Sequence, residues 1–304
     1  MEHRRIQGLE KMQVQLAAVA ALAVVYFGLW HRFWPWDPLS AAAYLPTAAH
    51  AQLLNFAAMV LFLAVAVAVV TISTRPQGAL LVVLIGAGGI SLHSPQIRSL
   101  FWAHPGQFQW VYGQMLLESL AMAAVLGAAY LVILMIRAGV GRMIPSWTWK
   151  SPIEQLTPEQ RQILPQKADS HWGHAAGCMG LTFLISVVLL FVLMQSGDRG
   201  QVIFALFASF LVGSLAGHQL VPTRRGAVLP LAPLAAAVIF YALAAYASIA
   251  APSPQAWLAI PKYAQALPID WLTAGGGGAV VGYWISSRLH ELRLIEAIEE
   301  HKEL

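Results

Sequence analysis

Charge is what this sequence lacks most. Asp, Glu, Lys and Arg make up only 11% of its 304 residues, where soluble globular domains carry roughly 25%, so a fold whose surface mostly faces water is excluded. Cysteine is nearly absent too. The single Cys178, in the apolar run "HAAGCMGLTF", can form no internal disulfide and reads as a small buried hydrophobe. The glycine-rich runs "GAGG" and "TAGGGGAVVG" lack the Lys-Ser/Thr that completes a phosphate loop. There is thus no nucleotide-binding motif, and any ATP-driven step would need a partner. In membrane helices such runs permit close packing, or alternatively an unwound hinge along a pathway. No Ser-His-Asp set, zincin motif or other catalytic constellation is present, which argues against an enzyme. A net charge of +4 and a pI near 9.3 would suggest nucleic acid in a soluble chain. Here the basic residues flank apolar segments, where they set orientation, so nucleic-acid binding is set aside.

Apolar sequence is abundant: 58% of residues are hydrophobic and the mean hydropathy is +0.64. Several uninterrupted runs reach the roughly 20 residues a helix needs to cross a bilayer. The fold class expected is an all-α, polytopic membrane bundle with eight spans, at about 12–31, 51–72, 77–93, 112–136, 173–195, 201–221, 227–250 and 271–288. The third is short and contains "GAGG", which makes it the weakest. The basic N-terminus before an apolar core resembles a signal peptide, but it runs into the bulky "HRFWPWD", so an uncleaved first span is expected. With the N-terminus inside, every one of the 18 Lys and Arg falls on the inner side except Arg32, Arg98, Arg199 and Lys262. Dropping one span would swap the sides of everything after it, so this bias supports eight spans with both termini cytoplasmic, in a bacterial inner membrane. Trp30, Trp34, Trp36, Trp102, Trp110, Trp257 and Trp271 fall at the outer boundary, and Trp147, Trp149 and Trp172 at the inner one, as anchors in lipid headgroups.

Four regions follow: a first transmembrane half (1–136), a cytoplasmic linker (137–172), a second half (173–288) and an amphipathic tail (289–304). "TRPQGALL" and "TRRGAVLP" end spans two and six. "SPQ" follows spans three and seven, and Trp110 and Trp271 open spans four and eight, a pattern that suggests parallel four-helix repeats. In the linker, "SPIE" and "TPEQ" carry caps for short surface helices near 152–156 and 158–164. The tail places Leu289, Leu292, Ile295 and Ile298 on one side, with Glu291, Glu296, Glu299, Glu300 and Glu303 on the other. Such a helix packs on its own inner loop or, alternatively, contacts a protein partner.

Chemistry gathers at the outer ends of the first four spans. His31 closes span one, His50 opens span two, His93 closes span three, and Glu118 lies about two turns into span four, roughly 9 Å below the boundary. A carboxylate there must be paired, protonated or facing a wet cavity. Arg98 and His104, in the connection "GISLHSPQIRSLFWAHPGQFQW", would cover the site from outside, with Arg98 the expected counter-charge to Glu118. Gln114, Met115, Glu118 and Met122 share one helical stripe. Thioether beside imidazole and carboxylate suits a transition metal, so Glu118, His93, Met115 and Met122 form a candidate metal set, although methionines at this spacing commonly just fill a core. At the inner face, His171, His174 and His218 form a second group, and a His174–His218 pair is one way to hold haem iron. Haem fits less well, because the inner and outer histidines fall on different halves. The reading that uses most of these features is a protein handling a cation, proton or small polar ligand at an outer His/Glu site. Its rivals are an accessory or scaffold subunit and, third, a membrane cytochrome or other membrane redox protein.

Overall fold

In the computed structural model, residues 2–33, 43–147, 172–250 and 260–303 are described, without the side chains of residues 2–9, 250 and 294–303. His171, Trp34, Trp36, Trp149, Trp257 and the short helices expected near 152–156 and 158–164 lie outside the described residues, as do the side chains of Ile295, Ile298, Glu296, Glu299, Glu300 and Glu303. Among the described residues the chain is helical and contains no strand. The long helices are α1 (Glu2–Ala23), α2 (His50–Val70), α3 (Pro76–His93), α5 (Phe108–Met143), α6 (Trp172–Leu193), α7 (Arg199–Leu220), α8 (Leu231–Ala250) and α9 (Gly276–Glu303); the short α4 (Ile97–Ala103) follows α3. A π-helical turn, Val24–Leu29, extends α1, and another, Trp271–Gly275, leads into α9. Seven of the helical segments are long and apolar enough to cross a membrane.

Apolar side chains alone would let these helices slide; their order is set by small residues and by polar pins. The short α3, weakest in the sequence, is two-thirds buried inside the bundle. A Cβ on Gly86 would lie 2.7 Å from a Leu63 methyl carbon, and one on Gly89 2.9 Å from the Tyr26 backbone nitrogen. Glycine at these positions is what lets α1 and α2 approach so closely. Likewise a Cβ on Gly278 or Gly282 would collide with the carbonyl oxygens of Phe207 and Leu211, so α9 lies backbone against backbone on α7, as small-residue stripes allow. The "TAGGGGAVVG" run is a packing surface.

Helix directions follow from the polar pins. Gln13 Nε2 donates to Val70 O at 2.5 Å and Glu10 accepts from the Arg75 amide at 3.0 Å, while at the other end of α1 the Tyr26 carbonyl meets His93. So α1 and α3 run in the same direction. Asp270, just before α9, bonds Ser91 near the end of α3, and Glu291 of α9 bonds Arg75 at its start. The last helix therefore runs antiparallel to α3 along its full length. Arg137, in the last two turns of α5, caps α2 through the carbonyls of Thr71, Ile72 and Thr74. The two halves pack differently: α1 lies mainly along α3, whereas α6 lies along α7 and α5 bridges to α8.

One boundary and one anchor differ from the sequence reading. The fourth span is one helix running through to Met143, so the first part of the expected linker is helical. Trp271, expected as an interfacial anchor, is fully buried against Phe210 and Phe240. Trp102, Trp110, Trp147 and Trp172 are exposed, as anchors would be.

Candidate functional site

Glu118 sits on α5 and is completely buried. Its partner comes from the connection between α1 and α2, where Ala43–Ala49 turns into the bundle. Thr47 Oγ1 donates to Ala43 O at 2.6 Å and the Ala49 amide to Tyr44 O at 2.7 Å. Ala48 adopts φ 55°, a left-handed conformation that costs an L-residue roughly 1–2 kcal/mol. This tight fold presents two successive amides to Glu118: Tyr44 N and Leu45 N donate to Oε2 at 2.7 and 2.9 Å. Consecutive N–H groups converging on one oxygen form a small anion-binding concavity. The other oxygen, Oε1, is buried and without a hydrogen-bond partner among the described residues, and the same holds for the hydroxyl of Tyr44, whose amide holds Oε2.

Arg98 does not supply the counter-charge expected of it. It lies exposed on α4, and the ion pairs among the described residues are Arg75 with Glu10 and Glu291, and Arg199 with Asp270. The sequence reading paired Arg98 with Glu118 because both lie toward one end; the chain instead fills the space at Glu118 with its own backbone amides.

The histidines are divided among separate tasks. His31 and His50 are exposed at helix ends. His93 donates from Nε2–H to Tyr26 O at 2.9 Å and stacks on Tyr26 and Trp30 at 4.1 and 4.3 Å between ring centroids. Tyr26 lies in the π-helical turn of α1, so His93 satisfies a carbonyl where the helix widens. His104 donates from Nδ1–H to Leu100 O at 3.1 Å and lies against Trp110, closing α4. Met115 and Met122 are fully buried in the apolar core. Among the described residues no three His, Cys, Asp or Glu side chains converge as metal ligands would.

A second polar centre at the same end went unnoticed in the sequence. Arg199, at the start of α7, grips the fully buried Asp270 with both nitrogens, at 2.6 and 2.7 Å, and donates to Ser91 O at 2.6 Å. Ser91 Oγ and the Leu267 amide complete the carboxylate's shell at 2.6 and 2.8 Å. The signal was present: Arg199 and Asp270 are opposite charges at the mouths of two apolar runs. Tyr241 of α8 reaches the chain just before Asp270 and stacks near Tyr112, 6.3 Å between ring centroids. Its hydroxyl donates to Ala266 O at 2.6 Å.

At the opposite end His218 is buried, but its neighbour is not His174, which is exposed on α6. The imidazole next to it is that of His290 of α9, 5.2 Å away, and the Tyr283 ring lies closer still, at 4.7 Å. His218 donates from Nε2–H to Thr223 O at 3.0 Å, while Nδ1 lies 2.8 Å from Ser286 Oγ. Gln219 donates to that same hydroxyl at 2.8 Å, so the serine proton points to His218. Both ring nitrogens are thus committed to protein groups, and a His174–His218 haem ligand pair is not formed. His290 falls within the expected tail (289–304); helical continuity from span eight into that tail sets it against α7.

The chain matches no protein-family model, no curated protein and no solved structure.

Proposed function

We propose that this is a polytopic membrane protein, of bacterial inner-membrane type, that handles a cation, proton or small polar ligand at a buried site on Glu118. One observation carries the reading: a carboxyl enclosed in an apolar bundle, with one oxygen held by two amides and the other without a partner among the described residues. An ionisable side chain enclosed in a membrane bundle without a paired charge is costly and marks a functional site by default, so a side chain of this kind is kept for something that visits the open oxygen. The site consists of Glu118 with Tyr44, Leu45 and Tyr241, and the histidines serve as its scaffold. His93 and His104 secure the surrounding helix ends, while His31 and His50 stand exposed at the ends of theirs. In this reading the chain crosses the membrane eight times with both ends cytoplasmic. The antiparallel run of α9 along the whole of α3 supports the eighth crossing.

The rival reading, an accessory subunit of a membrane complex, draws on the commitment of His93, His104 and His218 to backbone carbonyls. Reconstitution into liposomes separates the two. Wild-type protein should move H⁺, Na⁺ or K⁺ faster than empty vesicles, measured with trapped indicator dyes, and Glu118→Gln should bring the rate down at least tenfold. Equal rates for wild type, variant and empty vesicles would leave the accessory subunit standing.

A further inference from the structure

Resting on that reading, we infer that the species taken up at the site is a proton, bound at Oε1 of Glu118, and that its uptake loosens the Ala43–Ala49 segment from α5. The carboxylate has no cation within ion-pair distance among the described residues. Among the described residues its charge is offset only by the two amides on Oε2, and Oε1 carries no partner there. A proton arriving from the aqueous phase at the segment's end forms an O–H bond at Oε1 and takes the site from one negative charge to none. The two amides then donate to a neutral carbonyl oxygen. Hydrogen bonds to an ionised acceptor contribute about 1.5–3 kcal/mol, against about 0.5–1.5 kcal/mol for neutral ones, so the latch weakens when the proton binds. Loss of the proton restores it.

Neighbouring groups leave Glu118 as the titrating one. From its own helix come Tyr112, Tyr130 and Arg137, the last committed to the end of α2. α2 offers only His50, at its exposed first position, and α3 only His93, bonded to Tyr26. α8 presents Tyr241 and the exposed Tyr246, and Asp270 is held by Arg199. The segment itself adds Tyr44, whose phenol burial and the Glu118 charge push well above its ordinary value, so it stays neutral.

The test is hydrogen exchange of residues 43–49 in the full-length protein in nanodiscs, expressed as protection relative to the intrinsic rate at each pH, together with infrared spectra. Protection of wild-type protein should fall roughly tenfold across the same pH range in which a carboxylic acid C=O band appears. Glu118→Gln should show neither the band nor any pH dependence, with protection fixed at the low level. The wild-type measurements suffice if the variant fails to fold. Protection that stays constant with pH, with no titrating carboxyl band, overturns the proton assignment. If calorimetry with NaCl or KCl then shows cation binding that Glu118→Gln abolishes, the wider reading of the site survives. Absence of both responses removes that reading as well.

Discussion

Asp270 and Arg199 show what a single buried charge requires in this protein. The aspartate is fully enclosed, and the guanidinium, Ser91 and the Leu267 amide together satisfy it. Removing one member of such a pair strands the other, at a cost of roughly 3–5 kcal/mol, whereas replacing both by apolar groups is often neutral. Asp270→Leu or Arg199→Met alone should therefore lower thermal stability in detergent sharply, and the double variant should recover most of the loss. A double variant as unstable as either single one would contradict this account. The pair also explains an exception to the charge bias: Arg199 stands on the sparsely basic side because it is spent on an internal partner. Lys262 differs: it is exposed and bonds Gln195 at 2.6 Å on the surface. Arg137 illustrates the converse, a basic residue near a helix end used to cap the carbonyls of another helix.

Among the helices, glycine placement decides which pairs come close. α9 reaches the backbone of α7 because Gly278 and Gly282 carry no Cβ. Overpacking a close contact typically costs about 1–3 kcal/mol, and here the obstacle is a carbonyl rather than a movable side chain. Gly282→Ala should accordingly destabilise the protein by at least that range in a denaturation assay. Gly127 of α5 has open space around its Cβ position, and Gly127→Ala serves as the control, with no loss expected. The π-helical turns act at the same scale. One offers the Tyr26 carbonyl to His93, and the other follows directly on Asp270 at the entry to α9. Neither turn is visible in the sequence, because a one-residue widening leaves the apolar pattern of a helix unchanged.

For the whole molecule, the alternating run of helices has a direct consequence for sidedness. Single cysteines at Arg98, Arg142 and Arg293, introduced on a Cys178→Ser background, should react with an impermeant maleimide from opposite faces: Arg98→Cys from outside intact cells, Arg142→Cys and Arg293→Cys only after permeabilisation. Labelling of Arg293→Cys in intact cells would refute the eighth crossing. The helical class and most segment positions were legible because a bilayer demands long apolar runs, and such runs are written locally. Glu118 was legible for the same reason, as a lone carboxylate in apolar surroundings. Its partners were not: the amides of Tyr44 and Leu45 lie over 70 positions away, and backbone groups leave no trace in residue identity. Asp270 and His290 escaped notice because each looked like an ordinary helix-end or tail residue. The sequence by itself determined the class, a bundle of helices long and apolar enough to cross a membrane, and the carboxylate at position 118, since both follow from the local balance of apolar and ionisable side chains. Only the tertiary structure decided that Glu118 meets amides rather than arginine, that Arg199 meets Asp270, and that His218 meets His290. Those pairings depend on which helices pack together, and small-residue contacts and long-range polar bonds set that packing.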